Sequence, residues 1–477
     1  MDAPASPLRS QAPWRVLEGF GGSVRSASRY AEPGSVDELV ELLLEARRER
    51  LTVTWRGAGR SYGDAALNQS GLVVDIRRLA GVHSWDPTTG TLDAEPGVTL
   101  EDVWRRTLPD GFWPAVVPGT MFPTLGGCLS MNIHGKNNYR AGTFGEHVLD
   151  FDLVTPSGAR LRCSRCENED VFHAAVGGLG LLGAITRVRI RLKHVETGDL
   201  HVMPVPCSSL GEMLAEFESG LTASDYSVAW IDGLSGGRSL GRGLIHRARY
   251  VAASEVPDAS ASLRPEHQDL PGRVIGVPAQ HLWRLMRPMM NRAAVKLVNA
   301  AKYRMARVEG RRSYLQSHVA FAFLLDYVPD WRLAYGPAGF IQYQVFVPAA
   351  AAERTLGGVL THCQARGLPP FLCVLKRHRP DDFVLSHAVD GWSLALDFPV
   401  GRSRDDLWRL TGELTEQVVA AGGRFYFAKD AVLKPADVER SYGRERLDRF
   451  LAIKDRLDPD GTLTSDLWRR IAPAKGA

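Results

Sequence analysis

The chain has 477 residues and a net charge of +4, with 44% hydrophobic and 23% charged residues, proportions that exclude a disordered, collagen-like or coiled-coil protein. Its length favours two domains, or one domain with a large second lobe. The longest apolar stretch, Val319 to Leu325, is too short to cross a bilayer, and Met1 to Phe20 contains nothing like a signal peptide, so we expect a cytoplasmic protein.

The first third of the chain predicts alternating helices and strands. Ser35 and Glu38 form a capping box before an amphipathic helix over Val36 to Arg50. A short β-branched strand, Leu51 to Trp55, follows directly. Further helices are predicted to begin at Thr99, where Asp102 completes a cap, and near Asn168.

A glycine-rich loop, Arg56 to Asp64, follows the strand that ends at Trp55. A dinucleotide-binding βαβ unit is excluded, because only Asp64 to Ser70 separate the loop from Gly71 and the next strand, Leu72 to Ile76, which leaves no room for a crossover helix. The loop is then either a plain turn or an anion nest of backbone N–H groups.

A second glycine-rich segment lies between Pro118 and Asn138 and favours the nest. It contains Gly119, the Gly126-Gly127 pair and His134-Gly135-Lys136. Paired glycines permit close approach of the backbone to a ligand, and His134 and Lys136 add polar groups beside it.

The spacing of the cysteines does not indicate a metal site. Cys163 and Cys166 are spaced as CxxC, but no second CxxC or HxxxH completes a zinc site, so we predict no metal.

Nine basic residues and one acid between His281 and Tyr314 give that segment a charge of +8 and leave −4 for the rest of the chain. After Pro288, apolar residues recur there at helical spacing: Met290, Ala294, Leu297, Ala301, Met305 and Val308.

This basic segment predicts an amphipathic helix, with Arg292, Lys296 and Arg307 off the apolar stripe. Such a helix can lie on an anionic membrane surface, which predicts peripheral contact through residues 281–314 at the inner face of the membrane. A solvated helix packed on the substrate domain is the alternative. No known nucleic-acid-binding module surrounds it, so we predict no nucleic-acid partner.

The motifs together resemble a known family. The loop from Arg56 to Asp64, Gly126-Gly127, His134 to Asn137 and Gly177 to Gly183 resemble the FAD-binding domain of vanillyl-alcohol oxidase-type flavoproteins. Tyr335 to Gln344, Leu396 to Pro399 and Tyr426 to Asp430 narrow the resemblance to the decaprenylphosphoryl-β-D-ribose oxidase family, from about Leu17 to Arg470. These oxidases are the flavoprotein half of a 2'-epimerase.

The resemblance implies an α+β fold with a two-lobed FAD-binding domain and a separate antiparallel-sheet substrate domain. Residues 1–199 would form the FAD domain, residues 200–422 the substrate domain, and residues 423–477 would return to complete the FAD domain. The sequence adds that Ala436 to Lys454 is an amphipathic helix, followed by a turn at Asp458 to Gly461 and a final short helix.

The resemblance also implies the site. Some relatives bind FAD covalently through a histidine in the first loop, where this chain has Arg60, so we predict non-covalent FAD. The implied FAD-binding residues are Arg56, Gly57, Ala58, Gly59, Arg60, Ser61, Tyr62, Gly63, Gly119, Thr124, Gly126, Gly127, His134, Ile185 and Tyr426.

A bound FAD accepts hydride from a carbinol carbon, so the protein must orient the alcohol and take or stabilise its proton. The resemblance places Lys429 there as base or electrostatic stabiliser. Gln342 and Gln344 alternate on a strand and point the same way. Lys376 matches a pocket lysine suited to phosphate, and His134 is either a contact to flavin or substrate or a core histidine.

Three departures from the family pattern affect the substrate pocket. Ala395 stands in place of an active-site cysteine, Ser393 in place of an asparagine, and Ala322 near the place of a pocket tyrosine. None of them touches the flavin motifs. The redox step is therefore expected to persist, while the glycosyl or lipid group is open to change.

The resemblance implies FAD-dependent oxidation of a secondary alcohol on a sugar, the 2'-hydroxyl of a polyprenyl-phosphate-linked ribose, as the first half of an epimerisation in cell-envelope biosynthesis. A separate NAD(P)H-dependent short-chain dehydrogenase would then reduce the keto product. Two alternatives stay open: an aldonolactone-type or other carbohydrate oxidase that uses oxygen, and a non-catalytic basic lipid-binding protein.

Overall fold

The computed structural model describes residues 12–274, 276–401 and 404–473. Residues 1–11 and 474–477, which belong to the first and third predicted segments, lie outside this range, and so does part of the Met1 to Phe20 stretch. The first sheet has four strands in the order β1-β2-β4-β3. They are β1 Trp14–Glu18, β2 Arg25–Ala31, β3 Val53–Arg56 and β4 Leu72–Asp75.

Strands β3 and β4 run parallel, with Val53 opposite Leu72, although no helix is described between them. The chain makes this crossover through an irregular loop that contains the glycine-rich segment. The loop backbone therefore lies at the end of β3 without the helix that a dinucleotide-binding βαβ unit would place there.

The second sheet has five antiparallel strands in the order β5-β6-β10-β8-β9. They are β5 Val82–Asp86, β6 Thr91–Ala94, β8 Val148–Val154, β9 Arg160–Ser164 and β10 Ala184–Arg191. Beside it, β7 Phe112–Trp113 pairs with β11 Lys193–His194.

The third sheet has eight antiparallel strands in the order β17-β12-β14-β13-β19-β20-β18-β21. A short hairpin of β15 Arg273–Val274 and β16 Val277–Pro278 lies outside it. The eight strands are β12 Asp199–Cys207, β13 Tyr226–Ile231, β14 Gly243–Tyr250, β17 Tyr314–Ser317, β18 Phe340–Pro348, β19 Leu372–His378, β20 Gly391–Pro399 and β21 Arg424–Phe425.

The helices cover the sheets. They are α1 Val36–Arg48, α2 Leu100–Thr107, α3 Leu125–Ser130, α4 Asn138–Ala141, α5 Glu169–Ala175, α6 Leu210–Ser219, α7 Ala259–Ser262, α8 Pro265–Gln268, α9 Leu282–Met286, α10 Arg292–Glu309, α11 His318–Ala322, α12 Ala352–Ala365, α13 Arg404–Ala420, α14 Pro435–Tyr442, α15 Arg444–Leu457 and α16 Asp466–Ile471. In the parts of the chain that the structure describes, none is long and apolar enough to cross a bilayer.

The predicted helix starts at Ser35 and Thr99 are confirmed, since each hydroxyl accepts a backbone N–H three residues on. Two helix predictions were wrong in extent. Helix α1 ends at Arg48, because Arg50 adopts a positive φ of 54°. The single helix predicted over Ala436 to Lys454 is two, broken at Gly443 with φ of 84°, a conformation that glycine adopts readily.

Helix α10 is the predicted basic helix, but its buried face differs from the expected stripe. It packs on the third sheet through Asn299, Tyr303 and Ala306. The apolar side chains of the predicted stripe point away, with Leu297 71%, Met305 62% and Val308 89% exposed. The helix therefore packs on the sheet and also presents an apolar outer face.

The end of the chain returns to the first sheet. Leu463 forms a parallel bridge with Val53, and Asp466 N–H donates to the Leu67 carbonyl at 2.8 Å. From α16, the Arg470 guanidinium donates to both Asp64 carboxylate oxygens, at 2.8 and 2.9 Å, and to Asp430 at 2.8 Å. This ion-pair network ties the first loop to the segment that contains Lys429.

We predict that Arg470→Met lowers the free energy of unfolding by about 3–5 kcal/mol, because it leaves two buried carboxylates without their cation. Urea unfolding followed by circular dichroism measures this. Arg456→Met is the matched control, since Arg456 pairs with Asp170 at the surface and its loss should cost only about 0–1 kcal/mol. Equal effects of the two substitutions would contradict the prediction.

Candidate active site

A cavity of about 700 Å³ lies between the two glycine-rich segments and the third sheet. Thirteen of the fifteen predicted FAD-binding residues line it. Arg56 and Gly63 do not. The Arg56 guanidinium lies behind the loop and donates to the Glu18 and Ala66 carbonyls, whereas Gly63 packs so closely that an added Cβ would lie 1.8 Å from the Asp430 carbonyl oxygen.

The first loop has the features of an anion nest. Among the described residues, the backbone N–H groups of residues 57–61 find no hydrogen-bond partner, although these residues line the cavity. Gly59 has a φ of 64°, which allows successive amides to converge. A Cβ on Gly57 would lie 2.3 Å from Thr124 Oγ1, so glycine permits the two loops to meet.

The second glycine-rich segment faces the first. Thr124 caps α3 by accepting a hydrogen bond from the Gly127 N–H at 3.3 Å. Gly126 has no space for a side chain, because an added Cβ would lie 2.8 Å from Pro96. Free amides in the first loop and a close backbone surface in the second suit the pyrophosphate and the flat ring of FAD. The residues present therefore fit this cofactor.

Arg60 projects along this site as a stacked cation. Its guanidinium carbon lies 4.6 Å from the Phe122 ring centroid and 5.2 Å from that of Phe20. Burial lowers the pKa of Arg60, and the nearby Asp326 carboxylate opposes that shift. An arginine in this position offers charge and no nucleophile for a covalent bond to flavin.

Lys429 lies deep in the cavity. Its ammonium is 3.4 Å from the centroid of the Tyr62 ring. Burial lowers the pKa of Lys429, with the negative charge of Asp397 opposing the shift, and burial raises the pKa of Asp397. Gln342 Nε2 donates to Asp397 Oδ1 at 2.5 Å, so the carboxylate behind the lysine is held in place.

Gln344 and His134 belong to a second buried network. Gln344 Nε2 donates to His134 Nε2 at 3.0 Å and to Ser393 Oγ at 3.4 Å. His378 Nε2 contacts Ser393 Oγ at 2.7 Å. Burial, followed by the charge of Lys376, holds the pKa of His134 well below its usual value, so this imidazole is neutral.

All five predicted catalytic residues line the same cavity: Lys429, His134, Gln342, Gln344 and Lys376. Lys376 has no ion-pair partner among the described residues, and burial lowers its pKa to about 8. Gln342 and Gln344 are two residues apart on β18, so their side chains share one face of the sheet, as predicted from the strand period.

The three departures from the family pattern lie in or beside the cavity. Ala395 lines it, and Ser393 connects Gln344 with His378. The Ala322 carbonyl accepts a hydrogen bond from Lys136 Nζ at 3.0 Å. These positions therefore affect the part of the cavity formed by the third sheet and the adjoining helix α11, away from the free amides of the first loop.

The sequence patterns predict no site role for four groups that lie in or beside the cavity. Trp230, His246 and Lys302 line the cavity, and Asp397 supports Gln342. The signal for Asp397 was its place in the Leu396 to Pro399 motif. Lys302 belongs to the basic segment, but the sequence pattern does not distinguish it from the other basic residues there.

The CxxC pair takes no part in the site. Cys163 is buried, Cys166 is exposed, and neither forms a disulfide. Within residues 12–274, 276–401 and 404–473, no group of histidine, cysteine and acidic side chains is arranged to hold a metal.

Comparisons with known proteins identify an FAD-binding domain and related flavoproteins. An FAD binding domain model matches residues 27–164. Decaprenylphosphoryl-beta-D-ribose oxidase of Mycolicibacterium smegmatis is 33% identical over 95% of this chain and 97% of its own length. An uncharacterised Streptomyces coelicolor protein is 29% identical over 78% of this chain and 100% of its own.

A further relative matches less than half of the chain. Cytokinin dehydrogenase 3 of Arabidopsis thaliana is 27% identical over 40% of this chain and 42% of its own length. The cavity, the matched domain and these relatives define an FAD-dependent oxidoreductase that acts on CH–OH donors, with FAD as its cofactor. Within that class, the chain belongs to the decaprenylphosphoryl-β-D-ribose oxidase family.

We predict that Gly57→Ala weakens FAD binding about tenfold or more, because the new Cβ would overlap Thr124 Oγ1 and overpacking typically costs about 1–3 kcal/mol. Flavin fluorescence released on dilution measures the dissociation constant. Gly412→Ala is the matched control, since it lies in α13 with no atom within 4 Å of its added Cβ. Unchanged FAD affinity in Gly57→Ala would contradict the prediction.

Proposed function

We propose that this protein oxidises the 2'-hydroxyl of a polyprenyl-phosphate-linked ribose to a ketone, as the first half of an epimerisation. The supporting observation is that one cavity joins the FAD nest to Lys429, Gln342, Gln344 and Lys376. The named activity of the Mycolicibacterium smegmatis relative supports the choice of ribose.

The reaction removes a hydride from the carbinol carbon and a proton from its hydroxyl, leaving a carbonyl group. Bound FAD supplies the hydride acceptor. Lys429 takes the hydroxyl proton at Nζ, since burial favours its neutral amine, and Asp397 then stabilises the ammonium that forms. Gln344, fixed by His134 and Ser393, orients the sugar.

FAD is held without a covalent bond in this proposal, because Arg60 replaces the histidine that some flavoproteins use. The two-lobed vanillyl-alcohol oxidase-type fold then divides into an FAD domain at 1–199, a substrate domain at 200–422 and a returning segment at 423–477. Strand β21 of that last segment also pairs with β18, so the returning segment contributes to both parts.

The keto product needs a second reduction to complete an epimerisation, which calls for a separate NAD(P)H-dependent short-chain dehydrogenase as partner. Anaerobic mixing with a polyprenylphosphoryl ribose tests the function. We expect the flavin absorbance to bleach and the sugar to lose two mass units. A substrate that fails to bleach the flavin, while an aldonolactone precursor does so and forms hydrogen peroxide in air, would favour the carbohydrate oxidase instead.

We predict that Lys429→Met slows flavin reduction about 10²–10⁴-fold, the range for loss of a positioned general base. Stopped-flow absorbance measures the rate. Lys434→Met, at an exposed lysine before α14, should leave it unchanged. Because the neutral amine is the active form, the parent rate should rise with pH and level off above the lowered Lys429 pKa. A rate that falls over that range would indicate a stabilising cation instead.

A second part of the proposal concerns the membrane. Around α10, apolar side chains are exposed beside a basic sequence: Leu285 55%, Met289 47%, Leu297 71%, Val298 45%, Met305 62% and Val308 89%. Isolated exposed apolar residues are ordinary, but a contiguous set marks an interaction surface. The net positive charge of residues 281–314 favours an anionic lipid surface as its partner. We therefore propose peripheral contact at the inner face of the membrane, without nucleic acid.

Cosedimentation with phosphatidylglycerol-containing vesicles tests this contact. We expect binding that weakens with salt and falls about tenfold or more when Leu297, Met305 and Val308 are all changed to Ser, because each loses apolar burial in the lipid. Val16→Ser, at an exposed position of β1, is the control. Binding that is absent, or unaffected by the triple substitution, would refute the contact.

A further inference from the structure

The inner face of α10 forms part of the cavity wall. Asn299 Nδ2 donates to Asp232 Oδ1 at 2.9 Å, and the Arg242 guanidinium lies 4.9 Å from the centroid of the Tyr303 ring. These contacts fix the helix on the third sheet. Between them along the helix, Lys302 reaches over Trp230, with its ammonium 4.3 Å from the ring centroid.

Two more polar groups meet Lys302 in this part of the cavity. Lys136 Nζ donates to the Phe321 and Ala322 carbonyls and lies 4.7 Å from the Phe321 ring centroid. Burial, with the charges of Lys136 and Lys302, lowers the pKa of His246 to about 4. Strand pairing places His246 opposite Val228, two residues from Trp230, so His246 and Trp230 share one face of the sheet, and both line the cavity with Lys136 and Lys302.

Neither Lys136 nor Lys302 forms an ion pair with a residue that the structure describes. The carboxylates among the described residues that line the cavity are Asp326 and Asp330, and both act on Arg60 in the first loop. Asp326 is already engaged by Thr120 and by the Met121 N–H. The part of the cavity under α10 thus contains two lysines that form no ion pair with a described lining carboxylate.

We propose that Lys136, Lys302 and His246 form a subsite for the phosphate group of a prenyl phosphate ester. A phosphate oxygen accepts charge-assisted hydrogen bonds from ammonium groups, and its negative charge balances their positive charges. This inference rests on the proposed function and deepens it, since the subsite lies under the helix whose outer face is assigned to the membrane. Lys302 is then a residue that selects phosphorylated substrates.

Burial lowers the pKa of Lys136, with Lys376 adding to the effect, and burial lowers that of Lys302. An arriving phosphate stabilises both ammonium forms, so binding is expected to take up protons from solution.

Binding of geranyl phosphate and of geraniol to the oxidised holoenzyme tests the subsite by calorimetry. We expect the phosphate ester to bind at least about tenfold more tightly than the alcohol, a difference of about 1.4 kcal/mol or more. Lys302→Gln should remove most of that difference and leave geraniol unaffected. Lys302→Arg should retain most of it.

Lys296→Gln is the matched control, because Lys296 lies on the same helix but does not line the cavity. It should bind geranyl phosphate as the parent does. Unchanged flavin absorbance in every variant reports that the holoenzyme is intact. Displacement of the ester by inorganic phosphate would show that the subsite recognises phosphate alone, and binding confined to the ester but dependent on Lys302 would show that it recognises the whole prenyl phosphate; both support the proposal.

Equal affinity for geraniol and geranyl phosphate overturns the subsite, as does parent-like affinity in Lys302→Gln. These results are independent of turnover, because the oxidised holoenzyme is titrated without a sugar. A failure of the ribose substrate to bleach the flavin would instead count against the proposed function. The two failures are therefore distinguishable.

Discussion

The structure depends on a close contact between two distant segments, the first glycine-rich loop and residues 426–430. The Tyr62 N–H donates to the Ala428 carbonyl at 2.8 Å, and Gly63 leaves no space for a Cβ beside Asp430. Arg470 holds the same two segments together by pairing with Asp64 and Asp430. The contact brings the free amides of the loop and Lys429 to one cavity, so the proposed FAD site and the proposed base depend on the same part of the fold.

The lysines that line the cavity determine its electrostatics. Lys136 is buried and Lys376 is partly buried, and burial lowers the pKa of Lys376 to about 8. Lys429 has a carboxylate nearby in Asp397, whereas the lysines under α10 have none among the described lining residues. The cavity therefore contains both the base that we propose, Lys429, and the lysines that we propose bind an anion.

Much of the site could be predicted from sequence because its motifs are local. Each of these patterns lies within a few consecutive residues: the loop glycines, the alternation of Gln342 and Gln344, and the motif that contains Lys429. Helix α10 shows the limit: its apolar period predicted a buried or lipid-facing stripe, but Asn299 is buried because Asp232, on a distant segment, pairs with it. The apolar period contains neither that pairing nor the contact of Lys302 with Trp230 on strand β13.

The crystal structure of the FAD-loaded protein tests the central claim most directly. We expect the pyrophosphate to accept hydrogen bonds from the N–H groups of residues 57–61. We also expect Lys429 Nζ to lie within hydrogen-bonding distance, about 2.6–3.2 Å, of the flavin ring or of a bound alcohol. The contact between Gly63 and Asp430 should also be retained. A pyrophosphate bound elsewhere, or a flavin ring separated from Lys429 by other side chains, would contradict the claim.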